Sequence, residues 1–91
     1  MRHVRMYATP YCPYCIRARQ LLSKKGVPYE EINVAGQPAL RQEMTQKAGR
    51  YTVPQIFIDD QPIGGCDDLY ALERNGQLDR MLASEREDLC N

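Results

Sequence analysis

A chain of 91 residues, 43% of them apolar, is long enough for one hydrophobic core and too short for two, so a single domain over 1–91 is expected. Twelve Lys and Arg balance twelve Asp and Glu, which removes the net charge that a nucleic-acid or anionic-membrane partner would require. The start, Met1-Arg2-His3-Val4-Arg5, leads into only a few apolar residues, so no signal peptide is expected and the cytoplasm is the expected compartment; four cysteines then point to redox or metal chemistry rather than a disulfide scaffold.

Val4 to Ala8 reads as a short strand, and its near-continuous apolar run predicts a central position with both faces buried. The stretch Thr9-Pro10-Tyr11-Cys12-Pro13-Tyr14-Cys15 then places two thiols three residues apart where the strand gives way to a helical pattern. Cys12 is expected at the helix start, where unpaired backbone N–H groups and the positive end of the dipole favour a thiolate. A cysteine so placed commonly has its pKa lowered into roughly the 3.5 to 7.5 range. Cys15 follows nearly one turn further in, within reach of a small disulfide ring with Cys12. Pro13 suits the first turn, Cys15, Ala18, Leu21 and Leu22 form the apolar side, and Gly26 with Pro28 stops the helix. The segment 1–29 carries six basic side chains and no acid, so this helix belongs to an electropositive half of the chain.

Tyr29 to Val34 has the composition of a more exposed strand, parallel to the first by the strand–helix–strand order. A second helix is predicted over Gln37 to Ala48, with Leu40, Met44 and Ala48 on one face and Gly49 as its stop. Val53 to Ile58 reads as a third strand with Pro54 at its beginning, joined through Asp59-Asp60-Gln61 to a short strand around Pro62-Ile63. Gly64-Gly65-Cys66-Asp67 is a tight turn into a third helix, with Asp67 or its neighbour as N-cap, Leu69 and Leu72 on its apolar side and Gly76 as its end. Leu78, Met81 and Leu82 mark a short last helix, and 84–91 lacks an apolar face and reads as a frayed tail. The fold class expected is α/β: βαβ, then ββα and the last helix, giving a four-stranded mixed sheet flanked by helices on both faces.

Cys12-Pro13-Tyr14-Cys15, Thr52-Val53-Pro54 and Gly64-Gly65-Cys66-Asp67-Asp68, in this order, resemble the glutaredoxins of the small bacterial dithiol type, on a thioredoxin-like fold. The resemblance covers about residues 3–82. It implies a glutathione-dependent thiol–disulfide oxidoreductase, monomeric and without a metal, that reduces protein disulfides and glutathione mixed disulfides. By position it implies Cys12 as nucleophile, Cys15 as resolving thiol and Tyr14 beside the glutathione sulfur. It further implies a cis peptide before Pro54, a state found almost only before proline, with the Val53 backbone pairing with the cysteinyl part of glutathione beside Thr52. Gly65, Cys66 and Asp67 at a helix start would hold the γ-glutamyl end, and Arg41 the glycyl carboxylate. The chain departs from the family pattern at Thr9, where a Lys usually assists the thiolate, and at Cys90, which has no counterpart there.

Other readings of the same residues stand beside these. A zinc site would have to draw on Cys66, Cys90 or His3 from distant segments, without a second CxxC knuckle. An iron–sulfur carrier would join Cys12 of two subunits with two glutathione thiols, against which Pro13 and Cys15 favour disulfide closure. Cys66 reads equally as a small buried residue, Arg41 as an ordinary helical charge, and Asp67 and Asp68 as plain helix caps.

Overall fold

The structure, a computed structural model, describes residues 3–83. Its elements are β1 (Val4–Ala8), α1 (Pro13–Lys24), β2 (Tyr29–Asn33), α2 (Pro38–Ala48), β3 (Gln55–Ile58), β4 (Gln61–Gly64), α3 (Cys66–Arg74) and α4 (Gln77–Ala83). The tail expected to fray, with Cys90, lies outside the described residues.

The strands form one mixed sheet in the order β2-β1-β3-β4, with β1 parallel to β2 and antiparallel to β3, and β3 antiparallel to β4. Successive side chains of a strand point to opposite faces, and β1 uses both. Val4, Met6 and Ala8 pack with Cys15, Ala18, Leu21 and Leu22 of α1 and with Leu69, Leu78 and Leu82 of α3 and α4. Tyr7 points the other way, into a smaller cluster with Val34, Met44 of α2 and Phe57 of β3. Helices therefore cover both faces, and the apolar run in β1 has its physical reason in this double burial. Tyr7 meets Phe57 edge to face at 5.6 Å between ring centroids, and its hydroxyl donates to Glu43 Oε2 at 2.7 Å. Lys25, at the end of α1, holds the last two helices to the first through Glu73 Oε1 at 2.6 Å and Asp79 Oδ1 at 2.9 Å.

β2 ends at Asn33 rather than Val34 and α2 begins at Pro38 rather than Gln37, and three further boundaries differ from expectation, each for a local reason. β3 begins at Gln55 rather than Val53, because Pro54 has no N–H to give to a ladder and its peptide bond with Val53 is cis. The hairpin loop is only Asp59 and Asp60, both with positive φ (52° and 68°), as a tight two-residue connection demands, and Gln61 already belongs to β4. The N-cap of α3 is Gly65, not Asp67, which lies inside the first turn. Gly65 offers no side chain to a cap; instead its own N–H donates to Asp68 Oδ2 at 3.0 Å. Gly64 has φ +119°, and a Cβ there would run into the Asp68 carboxylate and the Arg50 guanidinium.

Candidate active site

The path of the chain from central β1 into α1 sets the position of the two cysteines. Cys12 is the N-cap of α1, with extended backbone (φ −77°, ψ 124°), so its thiol stands ahead of the first turn, where N–H groups are unpaired. It is partly exposed, and its thiol donates to the Val53 carbonyl at 3.9 Å. Burial alone would push this thiol up. That effect is outweighed by the Cys15 N–H and thiol and the Tyr14 N–H, which donate to the thiolate, and by the Arg19 charge, so Cys12 lies below a cysteine's ordinary value. Cys15, fully buried, is pushed up to about 11 by burial, with the neighbouring Cys12 adding to the rise and the Thr9 N–H and Arg19 opposing it. One thiol is thus prepared to attack and the other is held protonated beside it.

Beside Cys12 lies a groove of about 410 Å³ lined by Tyr14 from α1, Arg41 from α2, Thr52, Val53 and Pro54 before β3, and Gly65, Cys66 and Asp67 at the start of α3. Every non-cysteine position singled out from the sequence lines this one groove. The Arg41 Nε donates to the Tyr51 carbonyl at 3.1 Å, which fixes the guanidinium at the groove wall. Cys66 is buried and its thiol raised by burial and by the Asp67 charge, which suits a packing residue rather than a second nucleophile.

One lining residue, Arg50, escaped the sequence reading, which had Asp68 only as part of the 64–68 motif and as a helix cap. Arg50 and Asp68 share the groove and form an ion pair, Nη2 to Oδ2 at 2.8 Å; this bond and the Gly65 N–H hold the Asp68 carboxyl below its usual range. Asp68 was visible as a cap, but nothing in the sequence brings it to Arg50. Arg19 was also missed. Its guanidinium donates to both Glu31 oxygens at 2.8 and 2.7 Å and to the Thr9 carbonyl at 3.2 Å, which ties α1 to β2 and to the loop that carries the cysteines. A positive charge does reach the cysteine pair, but from nearly two turns inside α1 rather than from position 9.

Among the described residues no group of three or more His, Cys, Asp or Glu side chains is placed to hold a metal ion, and His3 pairs with Glu30. A nucleophilic thiol at a helix N-terminus, a buried partner thiol in the next turn, and a groove with cationic walls and a second helix N-terminus are the equipment of a dithiol oxidoreductase that works with a small peptide thiol. With the four-stranded mixed sheet, they define a thioredoxin-like oxidoreductase.

The sequence pattern of the glutaredoxin family matches residues 4–63. The chain is 56% identical over 84 residues to a glutaredoxin of Pseudomonas aeruginosa, covering 92% of this chain and all of that one. It is 56% identical over 82 residues to glutaredoxin 3 of Escherichia coli, covering 90% and 99% of the two chains. Among solved structures it is similar to a buckwheat glutaredoxin–glutathione complex, with a TM-score of 0.85 at 31% identity, covering 91% of this chain and 78% of the other. A glutaredoxin from Brucella melitensis matches with a TM-score of 0.79 at 52% identity over 90% and 89%. The chain belongs to the glutaredoxin family, the glutathione-dependent thiol–disulfide oxidoreductases.

Proposed function

We propose that the protein acts as a single-domain, monomeric cytoplasmic reductase of protein disulfides and of glutathionylated proteins, with Cys12 and Cys15 dividing the work. The observation that carries this is the asymmetry of the two thiols, one partly exposed and lowered, the other fully buried and raised to about 11. The Cys12 thiolate attacks one sulfur of the substrate disulfide; a new S–S bond forms, the old one breaks, and the departing thiolate takes up a proton. When the group now on Cys12 is glutathionyl, the groove holds it. Tyr14 flanks its sulfur, and Thr52, Val53 and Pro54 line its cysteinyl backbone. Gly65, Cys66 and Asp67 receive its γ-glutamyl end and Arg41 its glycyl carboxylate. Free glutathione then attacks the mixed disulfide and leaves as glutathione disulfide. When the group on Cys12 is a protein, Cys15 attacks Cys12 intramolecularly at high effective concentration and releases it, leaving an internal disulfide for two glutathiones to reduce.

This division is tested by two assays on Cys15→Ser, one with a small glutathione mixed disulfide and one with a protein disulfide. The first activity should be kept or raised and the second mostly lost, while Cys12→Ser loses both. Equal losses of Cys15→Ser in both assays would remove the reading.

A further inference from the structure

Next to the glutathione groove, and sharing Cys66 and Asp67 with it, runs a second groove of about 410 Å³ between α1 and α3, lined besides by Arg17, Gln20, Tyr70 and Arg74. The Tyr70 hydroxyl donates to the Arg17 carbonyl at 3.1 Å, so the floor is braced across the two helices. Its two guanidinium groups differ from those of Arg19 and Arg50 nearby. Arg19 is closed onto Glu31 and Arg50 onto Asp68, whereas among the described residues neither Arg17 nor Arg74 has a carboxylate partner. Arg17 instead leans over the Tyr14 ring, 6.0 Å from its centroid, at the boundary with the first groove. The two grooves meet at Cys66, whose thiol lies close enough to Cys12 to feel its charge. A polypeptide joined to Cys12 spans residues on both sides of the reactive cysteine, and past Cys66 this second groove continues the first.

We propose that the α1–α3 groove is the docking surface for the protein substrate's own chain, and that Arg17 and Arg74 select substrates with acidic residues flanking the reactive cysteine. This rests on the oxidoreductase reading above and adds its substrate class. Asp67 stands at the shared end and repels a carboxylate placed next to the cysteine. The acidic residues that fit are therefore those a few positions away, reaching the Arg17 and Arg74 end. Charge pairs on an exposed rim contribute little each, so together they amount to about a threefold to tenfold preference that fades with salt.

The test uses two synthetic peptides that differ only in flanking residues, Glu in one and Lys in the other, each with an internal disulfide. At low ionic strength the native protein should turn over the Glu peptide with about three- to tenfold higher kcat/KM. Arg74→Glu should shrink or reverse that preference while leaving turnover of a small glutathione mixed disulfide unchanged, and Arg17→Glu should do the same to the peptide preference. Equal kcat/KM for the two peptides in the native protein, or a preference untouched by both substitutions, would overturn the proposal. Fluorescence anisotropy with the same peptides carrying Ser for Cys needs no turnover. It reads the groove even if the glutathione reading fails: tighter binding of the Glu peptide, weakened by Arg74→Glu, supports the docking surface, and equal binding refutes it.

Discussion

A brief pulse of iodoacetamide on the reduced protein should label Cys12 and spare Cys15, and the structure sets how large the bias must be. Cys15 is raised from 9.0 to about 11, whereas Cys12 lies below that same 9.0. The gap of at least about 2 gives Cys12 a thiolate fraction at neutral pH at least ~100-fold the larger. Part of this is returned, because a more basic thiolate is intrinsically the better nucleophile; with a Brønsted coefficient near 0.5 the handicap of Cys12 is about 10-fold. A net preference of at least about 10-fold remains, and the full burial of Cys15 widens it by denying access. Mass spectrometry of peptides after pulses at pH between about 5 and 8 reads the ratio directly. Because the folded-state pKa of Cys12 is depressed, its labelling should fall off at a lower pH than that of an unperturbed cysteine. Labelling of Cys15 at a rate comparable with Cys12, or a Cys12 rate that collapses like that of a free thiol, would refute the assignment of roles.

Replacing Arg41 with Ala should raise the apparent KM for glutathione about three- to tenfold, the order expected for a charge-assisted bond at an exposed wall, while Thr9→Lys should lower it or lower the Cys12 titration further; glutathione-coupled kinetics with no change in either variant would remove Arg41 from the site. Arg19→Gln should move the Cys12 thiolate absorbance titration upward and slow turnover at pH 6 by about two- to fivefold, with an unmoved midpoint as the contrary result. Leu22→Ala opens a cavity in the centre of the larger cluster and should cost about 2–5 kcal/mol, read as a fall in urea midpoint without loss of the Cys12 titration. Tyr7 is raised to about 12 in the folded state, by burial first and by its bond to Glu43 second, so the stability it contributes is complete below about pH 10 and is lost as pH rises through about 12. Tyr7→Phe should accordingly flatten the alkaline limb of a denaturation-versus-pH curve, and an unchanged limb would mean that another group governs it.

What the sequence disclosed and what it withheld divide along the distance between interacting residues. The apolar run of β1, the Pro13 start of α1 and the glycine stops are local, so the elements were legible from neighbours in the chain. The eight groove residues were legible through a family resemblance, which encodes tertiary proximity that spacing alone does not carry. Arg50 with Asp68 and Arg19 with Glu31 were not legible, because each pair joins separate elements, 18 and 12 residues apart, and no periodicity in either element points at the other. The cap of α3 was misplaced for a related reason. The eye goes to the side chain that can cap, whereas here the cap position is occupied by the residue that can approach the Pro54 carbonyl most closely: a Cβ on Gly65 would lie 3.3 Å from it.

The absence of a lysine at position 9 follows the same logic from the opposite side. The bonds that favour the Cys12 thiolate come from the Tyr14 and Cys15 N–H groups and the Cys15 thiol, all supplied by the first turn itself once Cys12 occupies the N-cap. A charged side chain at position 9 would add to this field but would not create it, and Arg19, clamped to the Thr9 carbonyl, already contributes a positive charge. The coupling also runs back to Cys15. Its thiol is raised partly because it donates to Cys12 and sits beside that charge. Both causes vanish when Cys12 becomes a mixed disulfide, so Cys15 becomes easier to ionise at the one stage of the cycle at which it must attack.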